Sequence, residues 1–263
     1  MGLKSFGAKI LAKKVYPKLL KANIDGVNTQ QRVLKSLLEK ATETQFGKDH
    51  KFDASWSTTD FSKNVPVRDY EALKPYVEEV KLGKPNVLWP GLPIYFAKTS
   101  GTTSGAKYIP ITKESMPEHI SGAKNALLAY IYTTGKSDFV NGKMIFLQGS
   151  PVLGDHNGIT TGRLSGIVAH FVPGYLQKNR LPSWETNCIE EWEDKVKAIA
   201  TETKTEDLTL ISGIPPWVKM YYSELLAQTK KQDIKTIFPN FSLFVYGGVN
   251  FEPYKNSLEN LVG

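Results

Sequence analysis

The chain has 263 residues, 41% of them hydrophobic and 22% charged, a balance that excludes a disordered or low-complexity polymer and allows a sizeable buried core. Its net charge is +7, and all but +1 of it comes from Lys4, Lys9, Lys13, Lys14, Lys18 and Lys21 in an acid-free stretch, residues 1–24. A nucleic-acid binder spreads its cations over a docking face, so no nucleic-acid partner is expected. The single cysteine, Cys188, excludes an internal disulfide and suits a reducing, cytoplasmic setting. No stretch approaches the ~20 apolar residues of a membrane span.

The first predicted element is a basic helix over residues 3–20, with Leu3, Phe6, Ile10, Leu11, Leu19 and Leu20 at helical spacing. Such a segment can lie on a membrane surface; the simpler expectation is a helix packed on the domain with its lysines in water. A second helix is expected over residues 28–44, capped by Asn28 or Thr29 and stopping near Gly47, and a third over residues 67–80. Strands follow at 94–97 and 108–111, flanking a polar loop, and Thr112 is expected to cap a helix reaching residue 132. Residues 143–148 read as a buried strand, and Asn157-Gly158 as a tight reversal. A helix over 186–203, a strand over 208–211, a proline-opened helix from Gly213-Ile214-Pro215-Pro216 to residue 231, a strand over 242–246 and a helix over 251–262 complete the chain. Strands alternating with long helices predict an α/β fold of layered sheets flanked by helices. Residues 1–90 are expected to form a helical region packed on an α/β core, residues 91–263.

The densest chemistry lies in Thr99-Ser100-Gly101-Thr102-Thr103-Ser104-Gly105-Ala106-Lys107. Glycines admit close approach of backbone N–H groups to phosphate oxygens, hydroxyls donate further hydrogen bonds, and the lysine adds a point charge. A Walker loop needs Gly-x4-Gly-Lys followed by Ser or Thr. Here three residues separate the glycines, Ala106 precedes the lysine and Tyr108 follows it, which argues against a P-loop NTPase. The histidines, His50, His119, His156 and His170, show no metal-ligand spacing, so no metal-binding residue is assigned.

This loop resembles the phosphate-binding signature of adenylate-forming enzymes, the acyl-CoA synthetase and luciferase-like superfamily. Among them the chain is most similar to the auxin-responsive acyl-acid amido synthetases. Thr44-Gln45-Phe46-Gly47, Val65-Pro66-Val67-Arg68-Asp69-Tyr70-Glu71, Gly213-Ile214-Pro215-Pro216-Trp217 and Tyr246-Gly247-Gly248-Val249 carry the same likeness. One residue separates Gly105 from Lys107, where the superfamily often has two.

The resemblance implies a ligase that uses ATP and Mg²⁺ to adenylate a small-molecule carboxylic acid and then transfers the acyl group to an amino acid. By the same likeness Ser100, Thr102, Thr103, Ser104 and Lys107 hold phosphates, Gly101 and Gly105 shape the loop, and Lys107 acts in catalysis. Gly247, Gly248 and Val249 lie against adenosine. Ala123 and Ala126 on one helix, with Ser212, Ile214 and Trp217 on a loop, are candidates for the acyl pocket. The family's Ser-Glu-Gly and Tyr-Arg-x-Gly-Asp segments and its C-terminal domain find no match here. The expectation is therefore an incomplete fold, about the first half of such an enzyme, monomeric and inactive alone, with a catalytically incomplete nucleotide-binding module as the alternative. An interaction protein using the basic helix is the third reading.

Overall fold

The computed structural model describes residues 2–99, 105–172 and 174–263, with backbone only at 175 and 176. In chain order the first helices are α1 (Leu3–Ile24), α2 (Gly26–Ala41), α3 (Gln45–Asp49), α4 (Thr58–Asn64) and α5 (Tyr70–Lys81). Strands β1 (Tyr95–Lys98) and β2 (Tyr108–Ile111) precede α6 (Met116–Thr134). Then come β3 (Lys143–Phe146), β4 (Gly154–His156), β5 (Ile159–Gly162), α7 (Leu164–Ala169), α8 (Gly174–Gln177), β6 (Arg180–Leu181), α9 (Trp184–Asn187) and α10 (Trp192–Thr203). Strand β7 (Leu208–Ser212), α11 (Pro215–Thr229), α12 (Ile234–Ile237), β8 (Leu243–Val245) and α13 (Glu252–Val262) finish the chain. The result is an α/β protein whose described residues form two four-stranded sheets.

The residues fall into two compact units. One comprises Val15–Lys124 and Leu153–Ile167; the other comprises Met1–Lys14, Asn125–Val152 and Val168–Gly263.

The first unit holds the mixed sheet β2-β1-β5-β4. Strand β1 pairs antiparallel with β2 (Tyr95 opposite Ile111, Lys98 opposite Tyr108) and parallel with β5 (Tyr95 opposite Thr160, Ala97 opposite Gly162). Asn157 and Gly158 both adopt left-handed φ, +51° and +80°, so the expected reversal forms and turns β4 into β5. The Asn157 amide also donates to the Lys81 carbonyl at 2.7 Å, tying this hairpin to the end of α5.

In the same unit Thr44 caps α3 rather than ending α2: its hydroxyl accepts from the Gly47 N–H at 3.0 Å and donates to the Ala41 carbonyl at 2.6 Å. Gly47 is not a stop signal. It sits inside α3, where a Cβ would lie 2.0 Å from the Ala41 carbonyl oxygen. The Gln45 and Phe46 N–H groups donate to the carbonyls of Asn86 and Val87. Helix α2 begins at Gly26, and Asn28, expected as its cap, donates instead to Asp25 from the first turn.

The second unit holds the parallel sheet β6-β3-β7-β8. Parallel strands are covered on both faces and read as continuous apolar runs; Leu208, Leu210 and Ile211 are fully buried accordingly. Val196, Ile199 and Ala200 from α10, Val218, Tyr221 and Leu225 from α11 and Leu258 from α13 join Ile145 in one core cluster. Lys230, in the left-handed conformation, ends α11.

Candidate functional site

The first unit builds the phosphate-loop candidate. Strand β1 leads into it and β2 leads out, and the Thr99 N–H donates to the Lys107 carbonyl at 3.0 Å, closing the two ends. Ser100, Gly101, Thr102, Thr103 and Ser104 lie outside the described residues. Gly105 has φ +81° with open space where a Cβ would stand, a conformation that favours glycine. Lys107 is half-buried, and its Nζ stands 5.4 Å from the centre of the Tyr70 ring.

Tyr70 is the residue that sequence reasoning passed over. It opens α5 directly after Asp69, whose carboxylate accepts from the Ala72 N–H at 2.9 Å and fixes where the helix begins. The Tyr70 hydroxyl accepts the Tyr108 N–H at 2.9 Å and reaches the Tyr108 carbonyl at 3.4 Å. Tyr108 opens β2 on the outer edge of the sheet, so this N–H has no strand to receive it. Tyr70 therefore clamps the loop's exit and lays its ring beneath the loop's lysine. Its only sequence signal is its place in Val-Pro-Val-Arg-Asp-Tyr-Glu.

Because β1 and β5 are parallel, their carboxyl ends share an edge. Lys98 ends β1 and Arg163 follows β5 there, and both side chains are exposed. Among the described residues no carboxylate forms an ion pair with Lys98, Lys107 or Arg163. A loop with cations and no neutralising acid is chemically suited to a polyphosphate. Among the described residues no group of three or more His, Cys, Asp or Glu is poised for a metal; Mg²⁺ here would be held mainly by the phosphates it accompanies.

The second unit gathers further candidates at the carboxyl ends of β7 and β8. Ser212 pairs with Val245, and the Gly213 N–H donates to the Val245 carbonyl at 3.1 Å. Gly248 has φ +83°, and a Cβ there would meet Ile214 Cγ2 at 3.2 Å. The segments holding Ser212 and Ile214 and holding Gly247, Gly248 and Val249 thus adjoin, as a ligand site at strand ends requires. Trp217 stacks on Trp192, centres 4.1 Å apart, and packs against the core cluster. On α6, Ala126 belongs to this unit and Ala123 to the first, and both are exposed. Arg180 is half-buried, its guanidinium donates to the Ala169 carbonyl at 3.1 Å, and burial lowers its pKa from the ordinary arginine value.

Gln148 was also missed. It follows β3, beside β7, where the Leu147 N–H donates to the Ser212 carbonyl. Its amide nitrogen is buried without a hydrogen-bond partner among the described residues. An orphaned donor at the carboxyl end of a parallel sheet is suited to an acceptor on a ligand. A lone glutamine after an apolar strand gives no sequence signal of this.

Residues 17–171 match the GH3 family N-terminal domain. The chain is 32% identical over 112 residues to an indole-3-acetic acid-amido synthetase, GH3.15, of Arabidopsis thaliana, spanning 41% of this chain and 19% of that protein. It is 31% identical over 126 residues to a putative indole-3-acetic acid-amido synthetase, GH3.10, of Oryza sativa subsp. japonica, spanning 47% of this chain and 25% of that one. In fold it matches a GH3.15 acyl acid amido synthetase with a TM-score of 0.70 at 15% identity, covering 93% of this chain and 53% of the other. The AtGH3.15 acyl acid amido synthetase in complex with 2,4-DB matches with a TM-score of 0.59 at 17% identity, covering 80% and 39%. The chain thus spans about half the length of the first of these structures and a smaller share of each curated relative.

Proposed function

The chain belongs to the GH3 family, and from that premise we propose that it serves ATP-dependent joining of a carboxylic acid to an amino acid, contributing the phosphate-binding part of the site. The carboxylate oxygen attacks the α-phosphorus of ATP and pyrophosphate leaves; the amine nitrogen then takes the acyl carbon and AMP leaves. The protein forms no covalent bond in either step, so its work is positioning and charge stabilisation. Lys107 is assigned to the β- and γ-phosphates together with Ser100, Thr102, Thr103 and Ser104, while Gly101 and Gly105 let the backbone approach. Gly247, Gly248 and Val249 are assigned to the adenosine. The acid is assigned to the ends of β7 and α11 around Ser212, Ile214 and Trp217, with Ala123 and Ala126 on α6, and ATP carries Mg²⁺. These assignments keep the nucleotide chemistry within residues 91–263.

The observation that carries this reading is the closed loop between Thr99 and Lys107, with its lysine over Tyr70 and no ion-paired acid among the described residues. It is tested by pyrophosphate exchange into ATP, with a panel of carboxylic acids, on the protein and its Lys107→Ala variant. Loss of one well-placed electrostatic contact lowers such a rate by about 10²–10³. Exchange unchanged in Lys107→Ala removes the lysine from the mechanism.

A second reading is a nucleotide-binding module without catalysis. ATP binding that depends on Lys107, with no acid supporting exchange, favours it.

A further inference from the structure

In the first half of α1, Ser5 and Ala12 turn inward while Leu3, Phe6 and Ile10 turn outward. Ser5 and Ala12 are fully buried, and the Ser5 hydroxyl lies 2.5 Å from that of Ser137. Leu3, Phe6 and Ile10 are 88%, 55% and 53% exposed. Spacings of three and four residues put these three on one stripe of the helix, opposite the buried pair. Lys13 and Lys14 continue that stripe by the same geometry. Lys9 and Lys13, one turn apart, line a cavity of about 560 Å³ with Ile131, Tyr132 and Gly135. Among the described residues Lys9, Lys13, Lys14, Lys18 and Lys21 form no ion pair, and residues 1–24 contain no acid.

The helix therefore presents bare apolar side chains among cations that no acid pairs with among the described residues. A nucleic acid would leave the apolar stripe without a partner. A second copy on the same face would set lysine against lysine. A bilayer containing anionic lipids satisfies both halves at once: acyl chains for the stripe and phosphates for the lysines. We propose that α1 docks this protein on an anionic membrane surface. Leu3, Phe6 and Ile10 enter the headgroup–acyl boundary, and the Lys9–Lys13 cavity receives a lipid headgroup. This does not rest on the catalytic reading, since no residue assigned to nucleotide or acid is involved.

The test is co-sedimentation of the full chain with phosphatidylcholine vesicles, with and without about one-third phosphatidylserine; exposed-charge attraction weakens when salt is raised to about 0.5 M. The expected result is binding to the anionic vesicles alone, lost at high salt. A lysine near an anionic surface contributes about fivefold to partitioning, so Lys13→Glu with Lys14→Glu should weaken binding by roughly 25-fold or more. Phe6→Ser with Ile10→Ser should also abolish it, and neither pair should change the circular dichroism spectrum. A Phe6→Trp variant should gain fluorescence that brominated lipids quench. Equal binding to neutral vesicles, no binding, or binding indifferent to Phe6→Ser with Ile10→Ser overturns the proposal. So does light scattering that finds a dimer which Phe6→Ser with Ile10→Ser dissociates, because a second copy would then cover the face.

Discussion

Replacing Tyr70 by phenylalanine isolates the clamp on the loop from the ring beneath its lysine. The ring stays under Lys107, while the Tyr108 N–H loses its acceptor at 2.9 Å and the longer contact at 3.4 Å goes with it. A hydrogen bond of this kind contributes about 0.5–1.5 kcal/mol net. The edge position lets water partly replace the lost acceptor, so the cost is about 1 kcal/mol. For a chain of this size that lowers the melting temperature by about 2–4 °C. The same loosening, if carried to the loop, weakens ATP binding by about fivefold. Tyr70→Ala also removes the aromatic face, a further ~0.5–1 kcal/mol for an exposed cation–ring contact, and should melt lower and bind ATP more weakly still. Thermal melting and ATP titration of both variants provide the assay. A Tyr70→Phe protein that melts with the wild type refutes the clamp; equal ATP affinities for Tyr70→Phe and Tyr70→Ala would refute the role of the ring.

Gly47→Ala places a methyl 2.0 Å from the Ala41 carbonyl oxygen and 3.0 Å from the Thr42 oxygen, both backbone atoms that cannot swing away. A loss of about 3 kcal/mol is expected, read as a lower midpoint in urea. In the core, the Tyr222 hydroxyl is buried without a partner among the described residues, whereas that of Tyr221 lies 2.7 Å from Thr203 Oγ1. Tyr222→Phe should therefore be neutral or stabilising by up to ~1 kcal/mol, and Tyr221→Phe should cost about 1 kcal/mol; denaturant titration of each checks the contrast. Burial holds both phenols well above the ordinary tyrosine pKa. Raised acids bind their protons more tightly when folded, so this contribution is complete below about pH 10 and is lost as pH rises beyond it. Denaturant titrations at pH 8 to about pH 11 should show stability falling, less steeply in Tyr221→Phe with Tyr222→Phe.

The long elements were legible because apolar runs and periodicity set them: β7, α11 and α13 fall within a few residues of expectation. Boundaries moved where a short polar side chain found a local partner. Thr112, expected to cap α6, exchanges hydrogen bonds with Ser115 in a turn before Met116. The helix expected over 186–203 breaks into α9, capped by Ser183, and α10. Strand β4, Gly154-Asp155-His156, has no apolar alternation and shows itself only through pairing with β5. Periodicity located the stripe Leu3, Phe6, Ile10 but not the face that packs; Ser5 takes the inside because close approach to Ser137 and Asp138 favours a small side chain. The loop was legible through its composition. Tyr70 and Gln148 were not. The clamp exists only once a helix start meets a strand 38 residues further on, and the orphaned amide only once neighbouring strands assemble around it.

The central claim is that residues 99–107 hold the phosphates of ATP, and a thermal scan with Mg-ATP, AMP and sulfate at matched ionic strength tests it most directly. With a dissociation constant on the order of 1 mM, about 5 mM Mg-ATP stabilises by roughly 1 kcal/mol, a shift of about 2–4 °C. The expected result is that shift with ATP, a smaller one with AMP, and none with ATP in Lys107→Ala. AMP stabilising as well as ATP, or ATP stabilising Lys107→Ala as fully as the wild type, contradicts the claim.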